Sequence, residues 1–330
     1  MSTKKSAAFD MGRRVMRRLD ALALITETPG ALTRRYLTLA HQAAMQQVAA
    51  WMQEAGMTVR VDAIANVIGR IEGARPGAPA ILIGSHIDTV ADAGKYDGNL
   101  GVIAGIEAAE ALRGAGLKHA IEVVAFGDEE GVRFPSHLLS SRALTGAVKA
   151  AELATADAEG VTVRKALAEF GLDPGKLAQC KRARKEIAAY LEVHIEQGPV
   201  LEASGLPLGV VTGIVGQSRM RVTVVGETGH AGTVPMRMRR DALAGAAELM
   251  LAVERTALEN EDDGMVATVG RIEASPGATN VIPGRVGFSL EFRSSTDAKR
   301  KAAIDRVKQD AQRMGARRKL EFAFERVYET

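Results

Sequence analysis

The stretch "GSHIDTVADAGKYDGNLGV", residues 84–102, sets a histidine and three aspartates directly after the apolar run "AILI", residues 80–83. Such a run is the mark of a strand buried on both faces. Imidazole and carboxylate are costly at a buried strand end unless something there engages them. The strand therefore leads into a binding site.

The same arrangement recurs on either side. "AIEVVAFG", residues 120–127, is a second apolar strand, and Asp128, Glu129 and Glu130 follow it. Residues 99–113 between the two have helical character, and strand–helix–strand order implies a parallel sheet with a helical crossover. Ligands of such sheets sit beyond the carboxyl ends of the strands. A further strand, "YLEVHIEQG" (190–198), delivers His194 to that edge. Upstream, residues 8–26 and 38–55 read as amphipathic helices, the first with a stripe of Met11, Val15, Leu19 and Leu22. "MTVRVD" and "NVIGRIEG" are short β-like runs, and a Gly/Pro-rich turn occupies 73–79.

From about Gly213 the pattern changes. "RMRVTVVGE" alternates, with Met220, Val222 and Val224 on one face. A helix at 240–257, strands "MVATVGRIEA" and "RVGFSLEFRS", a helix at 297–314 and a last strand "KLEFAFERVY" follow. Phe288, Leu290 and Phe292 point inward and Arg293 outward. This βαββαβ order predicts a compact α+β domain at 213–329, inserted after an α/β domain at 1–212.

Whole-chain properties narrow the classes. A chain of 330 residues, 46% hydrophobic, has room for two cores, and aromatics at 4% leave most of the filling to aliphatic residues. Lys and Arg number 43 against 40 Asp and Glu, with no basic block interleaved with aromatics, which argues against nucleic acid. No apolar run has the ~20 residues needed to span a bilayer. "MSTKKSAAFDMGRR" lacks the apolar centre of a secretory signal. The single cysteine, Cys180, excludes an intrachain disulfide and suits a reducing cytoplasm, the expected location. His41, His119 and His137 have no acidic company and are expected in packing or at the surface. The run "KRARK" (181–185) reads as a solvated face.

The polar residues at the sheet edge are His86, Asp88, Asp97, Glu129, Glu130 and His194. Imidazole and carboxylate donors suit zinc or manganese. In His86-x-Asp88 the carboxylate can accept the ring's second N–H and fix its tautomer. Asp97 precedes Gly98, which lets the backbone approach closely, and its two oxygens can bridge two cations. Adjacent Glu129 and Glu130 repel, and burial raises their pKa unless a cation neutralises them. With metal on Glu130, Glu129 is free to act as general base.

"GSHIDTV", "KYDGNLGV", "FGDEEGVRF", "SRALTG", "LEVHIEQGPVLE" and "GHAGTVPMRMRRDA", in this order, resemble the M20-type metallohydrolases, and more narrowly their allantoate amidohydrolase and N-carbamoyl-L-amino-acid hydrolase branch. The resemblance implies a mainly parallel-sheet catalytic domain, an inserted lid and a homodimer formed through that lid. It implies two divalent cations, Mn2+ or Zn2+, on His86, Asp97, Glu130 and His194, with Asp97 bridging, Asp88 supporting His86 and Glu129 as base. His230 would help polarise the scissile carbonyl by entering the partner subunit's site, and Gln197, Asn280 and Arg293 would bind a substrate carboxylate. The implied substrate is a small ureido or carbamoyl compound. Allantoate leads, N-carbamoyl-L-amino acids follow and a dipeptide comes third. The family's catalytic domain resumes after the lid with one more histidine ligand, and this chain stops at "RVYET". Either the chain is a fragment or its second cation site is incomplete, and low turnover is expected of the chain as written. A non-catalytic dimerising protein is the reading from a different class, and bound-metal stoichiometry separates the two.

Overall fold

The computed structural model describes residues 2–136 and 138–330; His137 lies outside them. The chain divides into two compact units after Gly205, ahead of the change in sequence pattern near 213.

The first unit opens with α1 (Ser2–Ala23) and α2 (Leu39–Glu54), followed by β1 (Thr58–Val61), β2 (Val67–Ile71) and β3 (Ala80–His86). Then come α3 (Asn99–Leu112), β4 (Ala120–Phe126), α4 (Leu139–Thr145), α5 (Val163–Glu169), β5 (Ile187–Leu191) and α6 (Val200–Ala203). The sheet order is β1-β2-β4-β3-β5. β3 runs parallel to both β4 and β5, as the α3 crossover requires, while β1, β2 and β4 pair antiparallel. The sheet is thus mixed. Only the turn at 62–66 joins β1 to β2, and a connection that short permits only an antiparallel return.

Central β4 is buried at all seven positions. Ile121, Val123 and Ala125 join the main core, which includes residues of α1, α2 and α3, whereas Val124 and Phe126 face a smaller cluster with Ile68, Leu82 and Leu144. Buried Glu122 is held by Arg70 at 2.8 Å and Arg182 at 2.6 Å. Arg182 therefore departs from the solvated run expected at 181–185. A buried carboxylate needs a cation, and Arg182 supplies one.

Leu19 and Leu22 of α1 are fully buried. A polar tie joins the same helix to α3. Glu107 is buried, and its carboxylate lies 2.6 Å from Arg14 and 3.0 Å from Arg18. Removing one member of such a group strands the remaining charges. Glu107→Gln is expected to lower unfolding free energy by roughly 3 kcal/mol, the lower end of the range for broken buried pairs because Arg14 reaches solvent. Urea denaturation measures it.

In the second unit β6 (Gly216–Val225), β7 (Gly229–His230), α7 (Ala242–Leu258), β8 (Val266–Thr268), β9 (Ile272–Ser275), β10 (Val281–Ile282), β11 (Arg285–Ser294), α8 (Asp297–Arg318) and β12 (Glu321–Glu329) follow in turn. The sheet order is β12-β6-β11-β8, antiparallel throughout, with β9 also on β11. The single strand expected at 265–274 is thus broken in two. Met220, Val222, Val224, Phe288, Leu290 and Phe292 are buried with residues of α7 and α8, as their alternation requires. Among the described residues no helix is long and apolar enough to cross a membrane.

Candidate metal centre

His86 is the last residue of β3, in register with Phe126 at the end of β4, and is almost fully buried. Its Nδ1 lies 3.0 Å from the Asp88 carbonyl, the acceptor that places the ring proton on Nδ1. Nε2 lies 3.8 Å from Asp97 Oδ1. The expected acceptor, the Asp88 carboxylate, is farther away at 3.6 Å. It turns instead to the loop after β4, where it accepts the backbone N–H of Glu129 at 3.0 Å and of Glu130 at 3.1 Å. Asp88 thus orients His86 through its carbonyl and holds the glutamate pair through its side chain.

Asp97 sits at the entry to α3. The helix is capped by Gly98 at φ +64°, and a Cβ there would meet the His86 ring at 2.4–2.5 Å. The close approach read from the sequence is therefore an approach to the imidazole itself. His194 lies beyond the end of β5, in the following loop. Its Nδ1 is 2.9 Å from the Ile195 carbonyl, and its Nε2 is 3.2 Å from Asp97 Oδ1. The two imidazoles stack 5.7 Å apart and both present Nε2 to the same carboxylate oxygen. Gln197 donates its amide to Asp97, at 3.1 Å to Oδ1 and 3.0 Å to Oδ2, so it lies at this cluster.

Donor atoms of His86, Asp97 and His194 all fall within 4.8 Å of one another, as do those of His86, Glu129 and Glu130. His86 belongs to both groups. Electrostatics agree with geometry. Burial, then the charges of Glu129, Asp97 and Asp88 working against the opposing effect of His86, push the Glu130 carboxyl up to about 7. Glu129 is raised by burial, with His86 partly opposing. Buried Asp128 is pushed up to about 8 by burial and by Asp88. For His86 burial acts downward, but the hydrogen bond and charge of Asp88 outweigh it and hold the ring near 9. Two imidazole Nε2 atoms aimed at one carboxylate, beside carboxyls that resist ionising together, fit a divalent cation, which would take the place of the His86 ring's second proton and relieve the repulsion.

These shifts share one sign. Each group binds its proton more tightly folded than unfolded, so its stabilisation is complete below its ordinary pKa and is lost as pH rises through the folded value. Chelator-treated protein should therefore lose thermal stability as pH rises from about 4 to 9, the window spanned by Glu130, Asp128 and His86. Added Mn2+ or Zn2+ should reverse the loss at the alkaline end, because a cation favours the deprotonated ligands. Melting curves across that range, with and without metal, check it.

In the second unit, β7 and β10 pair His230 with Val281, and Ala231 N–H donates to the Asn280 carbonyl at 3.0 Å. His230 and Asn280 are thus neighbours. His230 Nδ1 accepts the Gly232 N–H at 3.0 Å, which leaves the ring proton on Nε2. Arg293 points to the open face of the sheet and pairs with Glu291 at 2.5 Å, and Arg219 holds the other oxygen of Glu291 at 2.7 Å.

Other singled-out residues have structural settings. His41 is fully buried against Tyr36 and Phe170, and burial lowers its pKa to about 3. His119 is half-buried and Cys180 buried. Sequence reasoning passed over two supports. Ser140 and Asp128 exchange hydrogen bonds at 3.0 Å behind the glutamate pair. Arg34 is fully buried beneath the His86 loop and donates to the Ile87 carbonyl at 2.7 Å. Ser140 is a polar residue on the buried face of α4 and Arg34 lies in the loop between α1 and α2, so neither leaves a local signal.

Residues 82–321 match the family described as Peptidase family M20/M25/M40. The chain belongs to this family. An allantoate deiminase of Arabidopsis thaliana is 44% identical over 310 residues, covering 87% of this chain. An N-carbamoyl-L-amino-acid amidohydrolase of Pseudomonas sp. (strain NS671) is 45% identical over 283 residues, covering 84% of this chain and 68% of its own length. The chain spans 59% of the length of the Arabidopsis protein. Among solved structures, a hydantoinase/carbamoylase family amidase from Burkholderia ambifaria superposes with a TM-score of 0.85 at 36% identity, covering 97% of this chain and 78% of that one. The α/β unit followed by an α+β unit is the architecture of these M20 amidases.

Proposed function

We propose that this M20 chain is a metal-dependent amidohydrolase that cleaves a C–N bond of a ureido or carbamoyl group. The observation that carries the reading is the convergence of His86 and His194 on Asp97, beside Glu129 and Glu130. His86, Asp97, Glu130 and His194 would hold two divalent cations, Mn2+ or Zn2+, with Asp97 shared. When bound, such cations supply Lewis-acid polarisation of the carbonyl under attack. Glu129 takes the proton of the attacking water and passes it to the leaving nitrogen. Its raised pKa suits that double task.

His230, whose Nε2 carries the proton, would enter the partner subunit's site and donate to the carbonyl oxygen as charge develops. Asn280 and Arg293 of the second unit, and Gln197 at the metal cluster, are the candidate ligands of a substrate carboxylate, for which the planar guanidinium fork is well matched. The second unit acts as lid and as the contact of a homodimer, and buried Cys180 is compatible with a reducing cytoplasm.

Allantoate is the lead substrate, giving ureidoglycine, ammonia and carbon dioxide. N-carbamoyl-L-amino acids are the second reading, with 45% identity to the Pseudomonas amidohydrolase beside 44% to the Arabidopsis deiminase. Ammonia release by protein loaded separately with Mn2+ and Zn2+ separates them, with allantoate and a panel of N-carbamoyl-L-amino acids offered in parallel. Release from allantoate alone supports the lead. Release from the carbamoyl panel alone replaces it with the second. No release from a chain that also binds no cation overturns both.

A further inference from the structure

Arg34, in the segment between α1 and α2, is the largest fully buried side chain of the first unit. A buried guanidinium must satisfy its donors within the protein, and this one does so without a salt bridge among the described residues. Nε donates to the Ile87 carbonyl at 2.7 Å, and Nη2 to the Asn99 side-chain oxygen at 2.7 Å. Nη1 donates to the Leu22 and Ile25 carbonyls, both at 2.9 Å, at the end of α1. The backbone joins in. Arg34 N–H donates to Thr89 Oγ1 at 2.9 Å, and Thr89 N–H returns a bond to the Arg34 carbonyl at 3.0 Å.

These partners are not scattered. Ile87 lies between His86 and Asp88, and Asn99 is two residues past Asp97. One planar group thus spans the two loops whose relative position sets the 3.8 Å separation of His86 Nε2 and Asp97 Oδ1. The influence extends further, because Asp88 carries the backbone of Glu129 and Glu130. Lysine could not substitute. Its single ammonium cannot reach acceptors on opposite edges of a fork at once.

We infer that Arg34 is a positioning residue of the metal centre, fixing the His86–Asp88 loop against the Asp97–Asn99 turn. It touches no reacting atom. The inference rests on the reading of His86 and Asp97 as metal ligands, and its test must survive failure of that reading.

The test compares Arg34→Lys with Glu107→Gln, which breaks a tie between α1 and α3 without a bond to either loop. Both variants are studied at a temperature where each is fully folded. Two quantities are read, the Mn2+ dissociation constant by calorimetry and amide exchange at Glu129 and Glu130. Arg34→Lys is expected to weaken Mn2+ binding about tenfold to a hundredfold, as loss of a residue supporting metal ligands does. It is also expected to speed exchange of the two amides about tenfold, as local opening becomes easier. Glu107→Gln should leave both near the unmodified values.

Unmodified affinity and exchange in Arg34→Lys overturn the inference, as does an equal loss in Glu107→Gln. If the unmodified chain binds no Mn2+, the metal reading fails by itself. The exchange measurement then decides on Arg34 alone, with faster exchange supporting the positioning role and unchanged exchange overturning it.

Discussion

Glu129→Gln is expected to lower the rate of ammonia release by about a hundredfold to ten-thousandfold, the usual contribution of a positioned general base. Metal binding should stay within a few-fold of the unmodified protein. The argument rests on the separation of roles between the two glutamates. The glutamine is nearly the same size, and the backbone N–H groups of Glu129 and Glu130 remain on Asp88, so the loop keeps its place. What disappears is the capacity to accept a proton. Glu130→Gln should behave differently, losing metal affinity along with turnover. Rate and Mn2+ affinity measured on both variants check the division of labour, and equal metal loss in both would show that Glu129 is itself a ligand.

Gly98→Ala should be nearly as damaging without altering any functional group. At φ +64° a side chain is disfavoured in its own right, by roughly 1–2 kcal/mol. The larger effect is steric. The new methyl would overlap the His86 ring, and the ring cannot retreat because it is buried at the end of β3. Either the ring turns, and Nε2 leaves Asp97, or the start of α3 moves and takes Asp97 with it. Misplacement of about 1 Å in such a site costs on the order of a hundredfold in rate. Metal titration and ammonia release should fall together, and an active Gly98→Ala with unmodified Mn2+ affinity would contradict this account of the turn.

How much of this was legible in the sequence follows from where each signal lives. Strands such as "AILI" and "AIEVVAF" declare themselves because burial on both faces leaves no polar position, except Glu122, whose partners Arg70 and Arg182 come from distant segments. The alternation of β6 and β11 foretold which residues fill the second core. The donors His86, Asp97, Glu129, Glu130 and His194 were recognisable because chemistry-bearing residues follow successive strands.

Supports were not visible in the same way. The carbonyl of Asp88 rather than its carboxylate takes the His86 proton, and no residue identity encodes a carbonyl. Arg34 sits in a loop, where periodicity says nothing, and its four acceptors come from three separate stretches of chain. The antiparallel half of the first sheet was hidden for a related reason, since a strand's direction depends on its connections more than on its composition.

The central claim is a cation centre built on His86, the one residue common to both donor groups. Its most direct test is calorimetric titration of chelator-treated protein with Mn2+ and with Zn2+, on the unmodified chain and on His86→Ala. The account predicts saturable binding that collapses in the variant. Absence of saturable binding in the unmodified chain, or binding that His86→Ala leaves intact, would contradict it.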